Sequence, residues 1–247
     1  MKSKKKIVMV LMAALFAFSM SGCSNAKSKD KMEVKMTEDG AVMETKYVRV
    51  EYKECFPAKY SKYDAFLRKS TNINENLDET ECRIGMFNKK VALIAGASKD
   101  IKDDPKAAIE SLKKMLKEKG VTIEIKIVIG DGSTKYYVKV LKPKKSDLPP
   151  DIKKVVTNLE LALADLEVIQ KTTKETAKEA VSLLPLCKNL ITSAPTDFTG
   201  LDARFAPRAA SRLSEASTQL TAAADRAKKV SEKLKELSTI LKETFKG

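Results

Sequence analysis

The chain has 247 residues, with 47 lysines and arginines against 33 acidic residues, a formal charge of +14, and neither histidine nor tryptophan. Without imidazole, Ser-His-Asp and Cys-His catalysis and every metal site that needs a histidine ligand are excluded. No catalytic residue, cofactor or metal ligand is assigned on the sequence.

The first 22 residues differ from the rest. Lys2, Lys4, Lys5 and Lys6 form a basic start, followed by an uncharged run from Ile7 to Ser19. A helix of that run rises about 20 Å against roughly 30 Å of bilayer hydrocarbon, too short to span and right for a signal peptide core. Met20-Ser21-Gly22-Cys23 follows: a larger apolar residue, two small ones, then a cysteine. This stretch resembles the lipobox of bacterial prolipoproteins. The resemblance implies a cleaved signal peptide over 1–22 and lipid on Cys23, and two or three acyl chains anchor a protein stably at a membrane. It also implies a cell-envelope location. Ser24, where aspartate would favour the inner membrane, points to the outer membrane facing the periplasm in a Gram-negative source. Cleavage removes four lysines, so the mature chain carries about +10. Export and the interspersion of lysines with acidic residues argue against nucleic acid as a partner.

Residues 23–45 are polar, without a sustained apolar period, and read as a lipidated flexible tether. Residues 46–142 read as a small α+β domain. Lys46–Glu51 alternates like a half-buried strand, Tyr60–Lys69 carries a short helical stripe, and Lys90–Ala95 (KVALIA) reads as a central strand. Asp104 followed by Pro105 predicts a helix start with Ala108, Leu112, Met115 and Leu116 on its apolar side, and Gly120 its stop. Ile123, Ile125, Ile127 and Ile129 alternate with polar positions, Asp131-Gly132 is a tight-turn pair, and Tyr136, Val138 and Val140 mark the returning strand. In an oxidising compartment Cys55 and Cys82 are the obvious disulfide, closing a loop of about 28 residues worth roughly 3–3.5 kcal/mol.

Residues 143–150 (PKKSDLPP) are a linker by composition, and 151–247 are helical. Val155, Leu159, Ala162, Leu166, Ile169, Thr173, Thr176, Ala180, Leu183, Cys187 and Leu190 alternate by four and three, and only two of the eleven are polar. Ala209, Leu213, Ala216, Leu220, Ala223, Ala227, Val230, Leu234, Leu237 and Leu241 form a second series of ten, all apolar. Helices at about 151–192 and 206–245 with a short connector predict an antiparallel hairpin, kinked near Val181–Pro185. The chain is thus α+β: a small mixed-sheet domain followed by a long antiparallel α-helical, coiled-coil-like hairpin.

Three motifs compete with a plain structural reading. Lys90–Lys102 resembles the nucleotide-binding turn of short-chain dehydrogenases, but Asp100 and Lys102 occupy the places of two glycines that let the backbone approach a pyrophosphate. A strand ending in a small-residue turn is the better account. Asp78, Glu79 and Glu81, and Asp100, Asp103 and Asp104, offer carboxylates for acid–base work on an envelope polymer or for a hard cation, without a defining spacing. Cys187, on the helical seam, reads as a small buried hydrophobe, with an intermolecular disulfide as the alternative. A two-helix hairpin buries one seam, and Val156, Leu161, Leu163, Leu184 and Leu186 lie outside it. A further contact is therefore expected from a second copy, the α+β domain or another envelope protein. The expected role is a membrane-anchored, non-enzymatic binding or scaffolding protein acting through its helical hairpin. The alternatives are a carboxylate-dependent enzyme on an envelope polymer and a binder of anionic lipid or polymer.

Overall fold

The computed structural model describes residues 33–38, 40–97, 104–130 and 133–246. In chain order the elements are β1 (Val34–Met36), β2 (Val42–Glu44), α1 (Ser61–Ile94), α2 (Pro105–Glu118), β3 (Thr122–Gly130), β4 (Ser133–Lys142), α3 (Pro150–Asp197) and α4 (Ala206–Thr244). The fold is α+β with a long antiparallel helical hairpin, and its described strands make two separate antiparallel pairs, β1–β2 and β3–β4.

The hairpin follows directly from the heptads. All ten positions of the second series are buried in α4, and on α3 the nine from Leu159 to Cys187 are buried with Val155 and Leu190 at the margins. At 1.5 Å per residue the 48 residues of α3 span about 72 Å. The helix runs through both Pro185 and Pro195, five residues further than composition suggests, and Phe198 leaves it in an extended conformation. Alanines at 209, 216, 223 and 227, all buried, let α4 lie close to its neighbours.

The largest departure from expectation is α1. A ten-residue helix, loops and a central strand are expected between residues 60 and 95; a single 34-residue helix stands there instead. Its buried set includes Tyr63, Phe66, Ser70, Ile73, Leu77, Thr80, Ile84, Phe87, Val91 and Ile94, a third series alternating by three and four. The run Lys90–Ala95 is apolar because that end of α1 is enclosed on several sides, and a helix buried all round loses its polar stripe. Gly96, at φ +62°, ends it: Ala97 N–H bonds the Ala92 carbonyl (2.9 Å) and Gly96 N–H that of Leu93 (3.0 Å). The strand expected at Lys90–Ala95 is therefore the end of a helix, and Asp100 and Lys102 of the same motif lie outside the described residues.

α1 lies antiparallel to α3 and parallel to α4, completing a three-helix rod. Tyr63 meets Asp197 at one end, Asn74 meets Gln219, and Lys90 meets Asp165 towards the other. The seam that a two-helix hairpin would leave uncovered is thus filled from within the same chain. Its interior is two apolar clusters. One joins Tyr63–Leu77 of α1 to Ala180–Ala194 of α3 and Ala209–Ala227 of α4; the other joins Ile84–Ile94 to Ile152–Ile169 and Val230–Leu241. Thr80, Thr173 and Thr176 lie buried between them. Thr80 and Thr173 return their hydroxyls to carbonyls one turn back, Asn76 and Ile169, at 2.6 and 2.7 Å.

The remaining elements dress the rod near the second cluster. Asp104 caps α2 as its sequence predicts, accepting from Lys106 and Ala107 N–H at 2.9 and 3.1 Å. Ala108, Ile109, Leu112 and Leu116 bury its apolar side. β3 and β4 pair from Ile123↔Val140 to Gly130↔Ser133, with Ile123, Ile125 and Tyr136 in the core. Residues 33–38 and 40–45, read as part of the tether, hold the β1–β2 hairpin. It docks through Asn158 Nδ2 on the Gly40 carbonyl (2.9 Å) and Glu44 on Lys90 (2.9 Å). Lys46–Glu51 is not paired into a sheet; its neighbours are side chains of α1.

Candidate functional site

Cys23 and the signal segment lie outside the described residues, as do Asp100 and Asp103. The other candidates are in view.

The acidic run on α1 is held in ion pairs. Arg226 of α4 reaches across to Asp78 (Nη2–Oδ1 2.6 Å) and Glu81 (3.0 Å), while Arg49 and Arg83 converge on Glu79 at 2.6 and 2.9 Å. Three carboxylates opposed by three guanidiniums fasten α4 and the segment around Arg49 to α1. Consecutive helical positions point 100° apart, so Glu79 faces away from Asp78 and Glu81, which share Arg226. Asp104 is occupied by its cap.

The Cys55–Cys82 disulfide is not formed. Cys55 N–H donates to Asp64 (2.8 Å) near the start of α1, whereas Cys82 lies eighteen residues further along that helix. The two are separated by about 20 Å or more along a rigid rod, against the roughly 4.4–6.8 Å between Cα atoms that a disulfide requires. Cys187 is fully buried and its thiol donates to the Leu213 carbonyl at 3.1 Å; burial pushes its pKa up.

Two constellations were not foreseen. Asp64 and Glu75, both buried, strap residues 47–56 antiparallel along α1. Asp64 accepts from Tyr52 O–H (2.7 Å), Cys55 N–H (2.8 Å) and Phe56 N–H (3.1 Å). Glu75 accepts from Val50 N–H (3.1 Å) and Tyr47 O–H (3.3 Å). Burial first, and these carboxylates after it, hold both phenols above the ordinary tyrosine range. Single side chains here do the work of a partner strand, which no hydropathy pattern records.

The second is an aromatic hub where α3 turns into α4. Phe198 has ring centroids of Tyr60, Tyr63, Phe56 and Phe205 at 4.2, 4.9, 5.7 and 6.2 Å. Tyr63 O–H donates to Asp197 (2.6 Å), which Lys62 Nζ also meets at 2.5 Å. The lysine, with the tyrosine, holds the Asp197 carboxyl down to about 2; burial and Asp197 push Tyr63 up to about 12. Beside them Lys59 pairs with Asp202. Each carboxylate has a cation and a phenol, so the constellation is closed.

The surface hollows are shallow. One of about 400 Å³ lies on the outside of α4 against Ser217, Thr218, Thr221, Ala222 and Asp225. One of about 380 Å³ follows the edge of β3 beside the end of α4, where Lys126, Lys242, Lys246 and Glu124 stand around Ile125, Ile127, Val128 and Phe245. No cluster of three potential metal ligands occurs among the described residues, and none of their helices is long and apolar enough to cross a membrane. No protein-family model matches the chain, and comparisons with curated proteins and with solved structures likewise find no match.

Proposed function

We propose that this chain is a membrane-anchored envelope lipoprotein that acts as a non-enzymatic binding or scaffolding protein, with the helical hairpin as the body of a stiff rod. The observation that carries the reading is the self-contained bundle. Because α1, joined at one end by α2 and the β3–β4 pair, covers the seam of α3 and α4, the hairpin needs no partner to stay helical and is free to serve as a spacer or support. The segment leading back to Cys23 enters through β1, which pairs with β2, and Glu44 of β2 docks the hairpin on Lys90, so the lipid would hold that end of the rod towards the membrane. A protein partner, or a second copy, would use outward positions: Leu161, Val168, Val181 and Leu186 on α3 are 51–62% exposed.

The test has two parts. Mass spectrometry of the protein purified from cells should find residues 1–22 removed and acyl chains on Cys23, with a Cys23→Ala variant lost from the membrane fraction; a soluble, unprocessed chain would end the anchored reading. Crosslinking in intact cells should then capture partners through α3 positions 161 and 168. Turnover of an envelope polymer that disappears on changing Asp78, Glu79 or Glu81, with the fold intact, would favour an enzyme instead.

A further inference from the structure

β3 has one edge paired with β4 and one that the rod leaves largely open. Ile125 N–H turns away from β4 and donates to the Phe245 carbonyl at 3.4 Å. In an antiparallel ladder the residues that face outward alternate, so Ile127 and Ile129 also present N–H and C=O to that outer edge. Neither has a backbone partner there among the described residues. β4 differs: its outward N–H at Tyr136 is covered by Glu167 Oε1 at 2.7 Å. The β3 edge is also apolar at its distal end, where Val128 is 52% and Ile129 81% exposed. Exposed edges of this kind are normally blunted or occupied.

The groove along the edge has a charge sign. Lys126, Lys242 and Lys246 line it with Glu124 as the single acid. None of the three lysines makes an ion pair with another described residue, although lysines elsewhere, such as Lys59, Lys62, Lys90 and Lys145, do. Main-chain groups that accept any extended backbone, apolar side chains at alternate positions and an unneutralised basic rim together specify one kind of occupant. We propose that the outer edge of β3, from Lys126 to Ile129, takes an extended acidic peptide segment of a protein partner by strand addition. The peptide backbone bonds Ile127 and Ile129, its β-branched side chains lie on the face of Ile127 and Ile129, and its carboxylates lie on the opposite face with Lys126, within the basic rim that Lys242 and Lys246 complete. The inference deepens the binding reading by naming a surface and a partner chemistry. It uses residues 122–246 alone, so failure of acylation at Cys23 would leave it standing, and its own failure would leave the anchored rod standing.

The probe is a capped octapeptide of alternating glutamate and valine, added to the mature chain. Binding should slow amide exchange at Ile127 and Ile129 by about tenfold at saturation while leaving Ile125 unchanged. Lys126→Gln, Lys242→Gln and Lys246→Gln together should weaken it about tenfold with the β3–β4 pairing intact. Ile129→Pro removes an outward N–H and a side chain that is 81% exposed, which an edge position tolerates, and should abolish the protection of Ile127. Three outcomes overturn the proposal: no protection of Ile127 and Ile129 at millimolar peptide; equal binding of a lysine–valine peptide, of an alternately N-methylated peptide, or equal competition by inorganic polyphosphate; or protection already present without peptide and rising with protein concentration, which would give the edge to a second copy.

Discussion

At the α3–α4 turn the rod is closed by rings. Phe198 is the shared neighbour of four aromatics, and the tyrosines among them reach carboxylates held by lysines. At the other end the filling is mainly aliphatic: Ile109, Leu112, Ile123, Ile152, Leu159, Leu166 and Leu237 pack together with three buried rings, Phe87, Phe245 and Tyr136, the last hydrogen-bonded to Ser238 and Gln170. The first end concentrates its stability in one side chain and in ionisable partners. The second spreads it over many side chains contributed by α1, α2, α3, α4 and the β3–β4 pair. Concentrated packing is sensitive to a single substitution and to pH, whereas distributed packing resists both.

That contrast is broken most directly by substitution. Phe198→Ala should cost about 3–5 kcal/mol, since it removes a fully buried ring and leaves four others facing a cavity; Leu166→Ala should cost about 2–4 kcal/mol because neighbouring aliphatic chains relax into the space. Urea unfolding of both variants measures the pair, and an equal or reversed order would refute the contrast. Asp64→Ala comes next, at about 2–3 kcal/mol, because Tyr52 O–H and the N–H groups of Cys55 and Phe56 lose their shared acceptor. If the strap simply detaches, amide exchange at Cys55 and Phe56 accelerates while global stability falls less.

The pH response separates the ends further. Asp197 is depressed to about 2 in the folded state, so its contribution is present above the ordinary carboxylate value and is lost as pH falls from about 4 towards 2. Tyr63 is raised to about 12, so its contribution is complete below pH 10 and disappears as pH rises through 12. Melting curves across both windows should show losses that Asp197→Asn removes on the acid side and Tyr63→Phe on the alkaline side. Unchanged acid sensitivity in Asp197→Asn would show that other carboxylates set it.

Smaller effects sharpen the boundary between the clusters. Gly85 sits on the exposed side of α1 with open space where a Cβ would stand, so Gly85→Ala should stabilise by about 1 kcal/mol. Thr173→Val should change stability by less than about 1 kcal/mol, because its hydroxyl bonds a carbonyl that already has a helical partner. A large loss there would mean that the buried threonines do more than separate two apolar fillings.

Much of this could be read from the residues and some could not. The seams of α3 and α4 were legible because both faces of their contact are apolar at every turn, and Asp104-Pro105 announced α2 through a local hydrogen bond. α1 was hidden by its own composition. Ser70 and Thr80 stand on its seam, Gly85 on its exposed side lowers its helix propensity, and its apolar end mimics a strand. The acidic candidates were visible as sequence but not as ion pairs, because Arg49 and Arg226 come from 30 residues before and 145 residues after the acids they meet.

Periodicity and local capping chemistry, both expressed within a few turns of chain, determined the long hairpin, the α2 start and the β3–β4 pair. Only the tertiary structure decided that a third helix fills the hairpin's open side, that Asp64 and Glu75 stand in for a strand, that Cys55 and Cys82 are too far apart to join, and that one edge of β3 stays open. Each of these depends on which distant groups the packed rod brings together or keeps apart, and that information has no period along the chain.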